Sequence, residues 1–108
     1  MGAFGAHALK ARLPAEMLAV WQTAVQYHAW HALGLLALGV MAYHLDSSWL
    51  KAAGWLLLAG IALFSGSLYA LALGAPRGLG MATPLGGLSF ILGWLAAALA
   101  FISARTPA

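Results

Sequence analysis

Two histidines three residues apart, His28 and His31, lie within an otherwise largely apolar stretch, WQTAVQYHAWH from Trp21 to His31. Neutral imidazole is the commonest metal ligand, and its proton titrates near physiological pH. The chemistry open to the pair is proton handling, metal binding, or contact with a haem or quinone. On a helix, Ala24, His28, His31 and Leu35 follow the i, i+4, i+7, i+11 pattern and share one face. Gln22 and Gln26 lie roughly opposite, with Thr23 at the edge of that second stripe. The ligand set is incomplete, however. An i, i+3 pair supplies two ligands where zinc needs three or four, and no acidic residue lies deep in the apolar runs. The later runs contain no histidine, so histidines from two helices cannot grip a haem unless His7 folds back. The favoured reading is an interhelical hydrogen-bond clamp, each bond worth about 0.6–2 kcal/mol in a membrane. Ser65, Ser67 and Tyr69 are its expected partners.

Those partners come from GIALFSGSLYALAL, Gly60 to Leu73. Ser65 and Tyr69 are i, i+4 neighbours. A serine nucleophile there would need His28 or His31 as its base, and it lacks the strand–turn–helix setting of a nucleophile elbow. A third segment, TPLGGLSFILGW from Thr83 to Trp94, repeats small residues at spacings of three and four: Gly86, Ser89, Gly93 and Ala97. It has no Lys-Ser/Thr and no G-x-G-x-x-G pattern for cradling phosphate. Gly60, Gly66, Gly86, Ser89 and Gly93 are therefore read as helix-packing positions that let backbones approach closely. No catalytic residue, metal site or cofactor is expected.

The elements that hold these residues follow from composition. Of 108 residues, 64% are hydrophobic and 6% charged, and the mean hydropathy is +0.91. An ordinary soluble domain is about 25% charged. Soluble and disordered classes are excluded, which leaves an integral membrane protein of one domain, residues 1–108. Five Lys or Arg against two Asp or Glu give a net charge of +3. They are scattered singly as membrane-edge anchors, not clustered as nucleic-acid binding needs. The absence of Cys excludes disulfides and thiolate chemistry. Residues 1–13 lack the order of a signal peptide and read as an interfacial segment.

Three apolar runs, each long enough for the roughly 20 residues that a spanning helix needs, predict an all-α bundle with spans near 15–45, 49–73 and 84–104. Pro14 and Glu16 suit a helix start, Asp46, Ser47 and Ser48 are capping types, and Thr83-Pro84 reads as a cap followed by a first-turn proline. Residues 74–83 read as a loop. Trp21, Tyr27, Trp30 and Tyr69 form one expected aromatic belt, and Tyr43, Trp49 and Trp55 the other. The side bearing Lys10, Arg12 and Arg77 outweighs that bearing Lys51 and Arg105 by one charge, and so is read as cytoplasmic.

Three blocks together resemble one family: GAFGAHALKARL at 2–13, WQTAVQYHAWHALGLLALG at 21–39, and GIALFSGSLYALAL at 60–73 followed by TPLGGLSFILGW at 83–94. They resemble the small membrane proteins grouped as domain-of-unknown-function family 423, which includes transmembrane protein 256 of animals. The resemblance implies a multi-pass helical bundle in the plasma membrane (the inner membrane of a bacterium) with no established activity. It also implies a further apolar helix before GAFGAH, giving four spans. Either Met1 is internal to a longer reading frame, or this is a three-span variant. The first is favoured, because a bundle one helix short bares the histidine or the glutamine stripe to lipid. The expected function is non-enzymatic, that of a scaffold or accessory subunit, with the lipid bilayer, a homo-oligomer or a partner membrane protein as partners and no nucleic acid. Two alternatives stand beside it: an oligomeric transporter or proton- or solute-conducting protein, and a haem- or quinone-binding redox protein using His7, His28 and His31.

Overall fold

A computed structural model describes residues 2–4, 7–8 and 11–105. After one turn of helix at Gly2–Phe4, three long helices follow. Helix α1 spans Ala15–Met41 and α3 spans Ala82–Arg105. Between them α2 spans Ser48–Ala72 and carries a π turn at Ile61–Ser65. No strand occurs among the described residues. Connections this short make neighbouring helices antiparallel. Helix α2 is central, packing against α3 on one side and α1 on the other, so the chain is a thin layer with a Cα envelope of 56 × 27 × 14 Å.

Local chemistry sets the boundaries. Pro14 has an extended backbone (φ −57°, ψ 154°) that leads into α1, and Glu16 occupies the first turn, where a carboxylate complements the helix dipole. Helix α1 closes at Met41, short of residue 45, with Met41 O accepting from His44 N and Leu45 N. Ser47 caps α2, its Oγ accepting from Leu50 N. Gly74 ends α2 at φ +102°, a conformation open chiefly to glycine. Its N–H donates to Leu71 O and that of Ala75 donates to Ala70 O, the paired bonds of a Schellman stop. Residues 74–83 are not all loop: a 3-10 turn, Arg77–Met81, runs directly into α3 at Ala82. Thr83 therefore lies inside the helix rather than capping it.

Among the described residues, α2 and the segment Arg77–Ser103 are long and apolar enough to cross a membrane. Helix α1 has the length, 27 residues, but its glutamines and histidines dilute its apolar character. One face of it is in the core: Trp21, Ala24, His31, Gly34 and Leu38 are buried. This corrects the aromatic-belt expectation for Trp21, which is 1% exposed and packs with Ala72 and Tyr69. It shares the buried stripe with Ala24, so its indole turns inward. Trp30, Tyr43, Trp49 and Trp55 are exposed. Lys10 lies outside the described residues, as does the side chain of Arg105, so their anchoring roles stay expectations.

The α2–α3 contact is nearly backbone to backbone. A Cβ on Gly86 would strike Phe64 N, with Phe64 Cα 2.8 Å away, and one on Gly93 would lie 2.8 Å from Leu57 Cδ2. A Cβ on Gly60 would strike the Phe90 ring. Ser89 Oγ donates to Leu56 O at 2.6 Å. Gly66 is not at a close contact, since a Cβ there would meet nothing nearer than Ile61 O at 3.9 Å. Conversely, Gly34 of α1 belongs with the packing glycines, because a Cβ there would lie 2.8 Å from Trp94 Cη2. We expect Gly86→Ala to destabilise the protein in detergent by about 1–3 kcal/mol through overpacking. Gly66→Ala should be neutral or stabilising, since alanine is the better helix former. Equal stability of the two variants in a chemical unfolding titration would refute this account of the seam.

Candidate functional site

Besides the Ser89–Leu56 bond, polar side chains within the bundle form four further links between helices among the described residues. His28 Nδ1 and Tyr69 Oη share a hydrogen bond at 3.0 Å between α1 and α2. Ser65 Oγ donates to Ala24 O at 2.9 Å, also between α1 and α2. Ala24 is fully buried, and only a small side chain would let the serine reach that carbonyl. Ser67 Oγ donates to Phe64 O at 2.9 Å and lies 2.6 Å from Thr83 Oγ1. A hydroxyl has one proton, so Thr83 is the donor in that second bond, which ties the end of α2 to the start of α3.

His31 is held differently. Its Nδ1 lies 2.7 Å from Tyr27 O, one turn back on α1. Its Nε2 lies 3.0 Å from Trp94 Nε1 on α3. A carbonyl can only accept and an indole N–H can only donate, so the partners fix the tautomer: Nδ1 carries the proton and Nε2 the lone pair. A proton or a metal on Nε2 would break the Trp94 bond. The ring also stacks on Phe90, with centroids 3.6 Å apart and planes at 13°. Tyr27, Phe64 and Phe90 continue this aromatic cluster, with Tyr27 and Phe64 at 4.5 Å and Phe64 and Phe90 at 5.7 Å. Helices α1 and α3 thus meet chiefly through long aromatic side chains reaching past α2.

Of the five residues expected as one polar cluster, His28 and Tyr69 are brought together. His31, Ser65 and Ser67 each bond elsewhere. Trp94, Thr83 and the carbonyl of Ala24 were not foreseen. Trp94 had a signal, since an indole N–H far from the membrane edge needs an acceptor and His31 is the deep acceptor on α1. His28 keeps Nε2 without a partner among the described residues. It borders a recess of about 200 Å³ lined by Gly2, Val25, Ala29, Ala32 and Tyr69. His7 and His44 are exposed. Among the described residues, no three of His, Cys, Asp or Glu come together as a metal site, and no buried side-chain N or O atom lacks a partner.

Antiparallel apolar helices, with outer faces rich in Leu, Ile and Trp and inner polar groups bonded across the helix seams, define a multi-pass helical membrane protein. The chain matches the model of the family described as Protein of unknown function (DUF423) over residues 1–87, and it belongs to that family. It is 50% identical over 96 residues to the UPF0382 membrane protein YwdK of Bacillus subtilis, covering 88% of this chain and 78% of that protein. It is equally similar to the UPF0382 membrane protein SSP2132 of Staphylococcus saprophyticus, at 50% over 96 residues, covering 87% of this chain and 78% of that one. No solved structure gives a significant match.

The two-sided grip on His31 makes a double-mutant prediction. Trp94→Phe leaves Nε2 unpaired and should cost about 1–3 kcal/mol. His31→Phe should also destabilise, but Trp94→Phe added to it should cost much less than it does alone. Additive losses in detergent unfolding would mean that the 3.0 Å bond does not form.

Proposed function

We propose that this protein is a non-catalytic membrane subunit, a scaffold or accessory protein, whose intramembrane polar residues serve to hold its own helices together. The observation that carries this reading is the His31 ring, both of whose nitrogens are engaged by groups that leave no free lone pair for a metal and no free site for a proton. Ser65 and Ser89 support it, since both spend their hydroxyl protons on backbone carbonyls of neighbouring helices. In lipid such bonds keep buried polar groups satisfied.

A second reading, an oligomeric proton- or solute-conducting protein, is favoured by one observation: His28, bonded to Tyr69 through Nδ1, lines a recess. Reconstitution separates the two. Vesicles containing the protein and an entrapped pH-sensitive dye should dissipate an imposed proton gradient no faster than protein-free vesicles, and His28→Ala should change nothing. The purified protein should show no Soret band, with or without added haemin. Flux abolished by His28→Ala, or a low-spin haem spectrum on addition of haemin, would overturn the proposal.

A further inference from the structure

A cleft of about 600 Å³ opens between the first turns of α1 and the end of α2. Its walls are apolar, with Met17 and Val20 on one side and Leu68, Leu71 and Ala75 on the other. Two charges complete the lining: Glu16, in the first turn of α1, and Arg77, at the start of the 3-10 turn. Both are exposed, and neither pairs with another charged group among the described residues. The N-terminal turn, Gly2–Phe4, lies elsewhere. A Cβ on Gly2 would lie 3.7 Å from Val25 Cγ1, and Gly2 borders a recess with Val25, Ala29 and Ala32. Those three positions are about 120–180° around α1 from Val20, at 3.6 residues per turn. The turn therefore sits on the other side of α1 and leaves this cleft open.

Depth and charge point to the occupant. His31 bonds Trp94, close to the middle of α3, so His31 lies near the centre of the layer. Glu16 is then about 22 Å and Val20 about 16.5 Å from that centre along the axis, at 1.5 Å per residue. Half of a bilayer is about 15 Å of hydrocarbon, and about 20–22 Å with the headgroups. The charged mouth of the cleft therefore lies among the headgroups, and its apolar walls lead down to the edge of the hydrocarbon.

We propose that this cleft binds a zwitterionic phospholipid with a primary ammonium, a phosphoethanolamine lipid. Its phosphate rests on Arg77, its ammonium on Glu16, and one acyl chain runs down along Val20 and Leu68. The lining carries one charge of each sign, which matches a head that also carries one of each. An anionic head would pair with Arg77 but leave Glu16 beside a like charge. A guanidinium takes phosphate oxygens two at a time. A primary ammonium brings three N–H donors for a carboxylate to accept. A quaternary ammonium, as on a choline head, has no donor and is recognised instead by aromatic cages. No aromatic residue lines this cleft among the described residues. The site is separate from His28 and His31, so a scaffold and a conducting protein would hold the lipid equally.

Native mass spectrometry of the detergent-purified protein reads the preference directly, with dioleoyl phosphatidylethanolamine, phosphatidylcholine and phosphatidylglycerol offered at equal concentration. One ethanolamine lipid should be retained about tenfold over either of the others, the scale of one hydrogen bond to a charged group. Glu16→Gln, which removes the charge and keeps the shape, should erase the distinction between ethanolamine and choline heads. Arg77→Ala should weaken retention of all three lipids. Ala75→Trp should fill the cleft and release the lipid with both charges in place. Lys51→Ala, at the opposite membrane edge, should leave the preference unchanged. Glu16 and Arg77 are exposed, so unfolding of the first two variants in detergent should match that of the parent. Equal retention of the three lipids, retention of none, preference for the anionic lipid, or an ethanolamine preference that survives Glu16→Gln would each overturn the proposal.

Discussion

Two consecutive residues on the π turn of α2 hold the layer together. The backbone of Phe64 lies against Gly86 of α3 with no room for a side chain between them. Its neighbour Ser65 turns to the other side and donates to Ala24 O of α1. A π turn widens the helix and displaces the residues after it from regular helical register. Here it falls where both flanking helices make close contact. On α2, Leu57, Gly60 and Phe64 then face α3, while Ser65, Tyr69 and Ala72 face α1.

The rest of the packing follows from this pair of contacts. With α3 drawn onto α2 at Gly86, Gly93 and Gly60, the larger side chains of α3 project past α2 toward α1. Phe90 stacks on His31, and Trp94 reaches both its Nε2 and the open side of Gly34. With α1 drawn onto α2 at Ala24, Trp21 is buried on Ala72 and His28 comes within reach of Tyr69. Small residues fix the close approaches, and aromatic residues span the wider gap between the outer helices. A membrane offers little hydrophobic drive for helices to associate, so van der Waals fit and a few interhelical hydrogen bonds must serve instead. That explains why hydroxyls and imidazoles here end on carbonyls, on one another or on the Trp94 indole.

Charge has little part in the bundle. The acidic and basic residues lie near helix ends or in loops, as with Glu16, Asp46, Lys51 and Arg77. The polar residues farther from the helix ends are amides, hydroxyls and imidazoles. On α1 they divide between two faces, one resolved inside the chain and one, bearing Gln22 and Gln26, not resolved by any described residue. This makes α1 the most polar of the three helices.

Much of this was legible in the residues themselves. Three apolar runs with few charges specify a helical membrane protein, because only helices satisfy backbone groups locally over such lengths. The 3.6-residue period places Ala24, His28 and His31 on one stripe of α1 and the glutamines on the opposite one. The close contact at Gly86 and Gly93 belongs to a visible small-residue repeat. Tertiary structure alone decided which polar groups meet. The π turn is written in no cap or breaker, and it shifts the register of every later residue of α2, so that Ser65 meets a carbonyl and only Tyr69 meets a histidine. Whether Gly66 or Gly34 needs to be glycine depends on the backbone or ring that lies opposite, and Trp94 reaches His31 only because α3 lies close enough to α2. Local periodicity fixes which face a residue occupies. The axial offset between helices, which fixes what that face touches, comes from the packing of all three together.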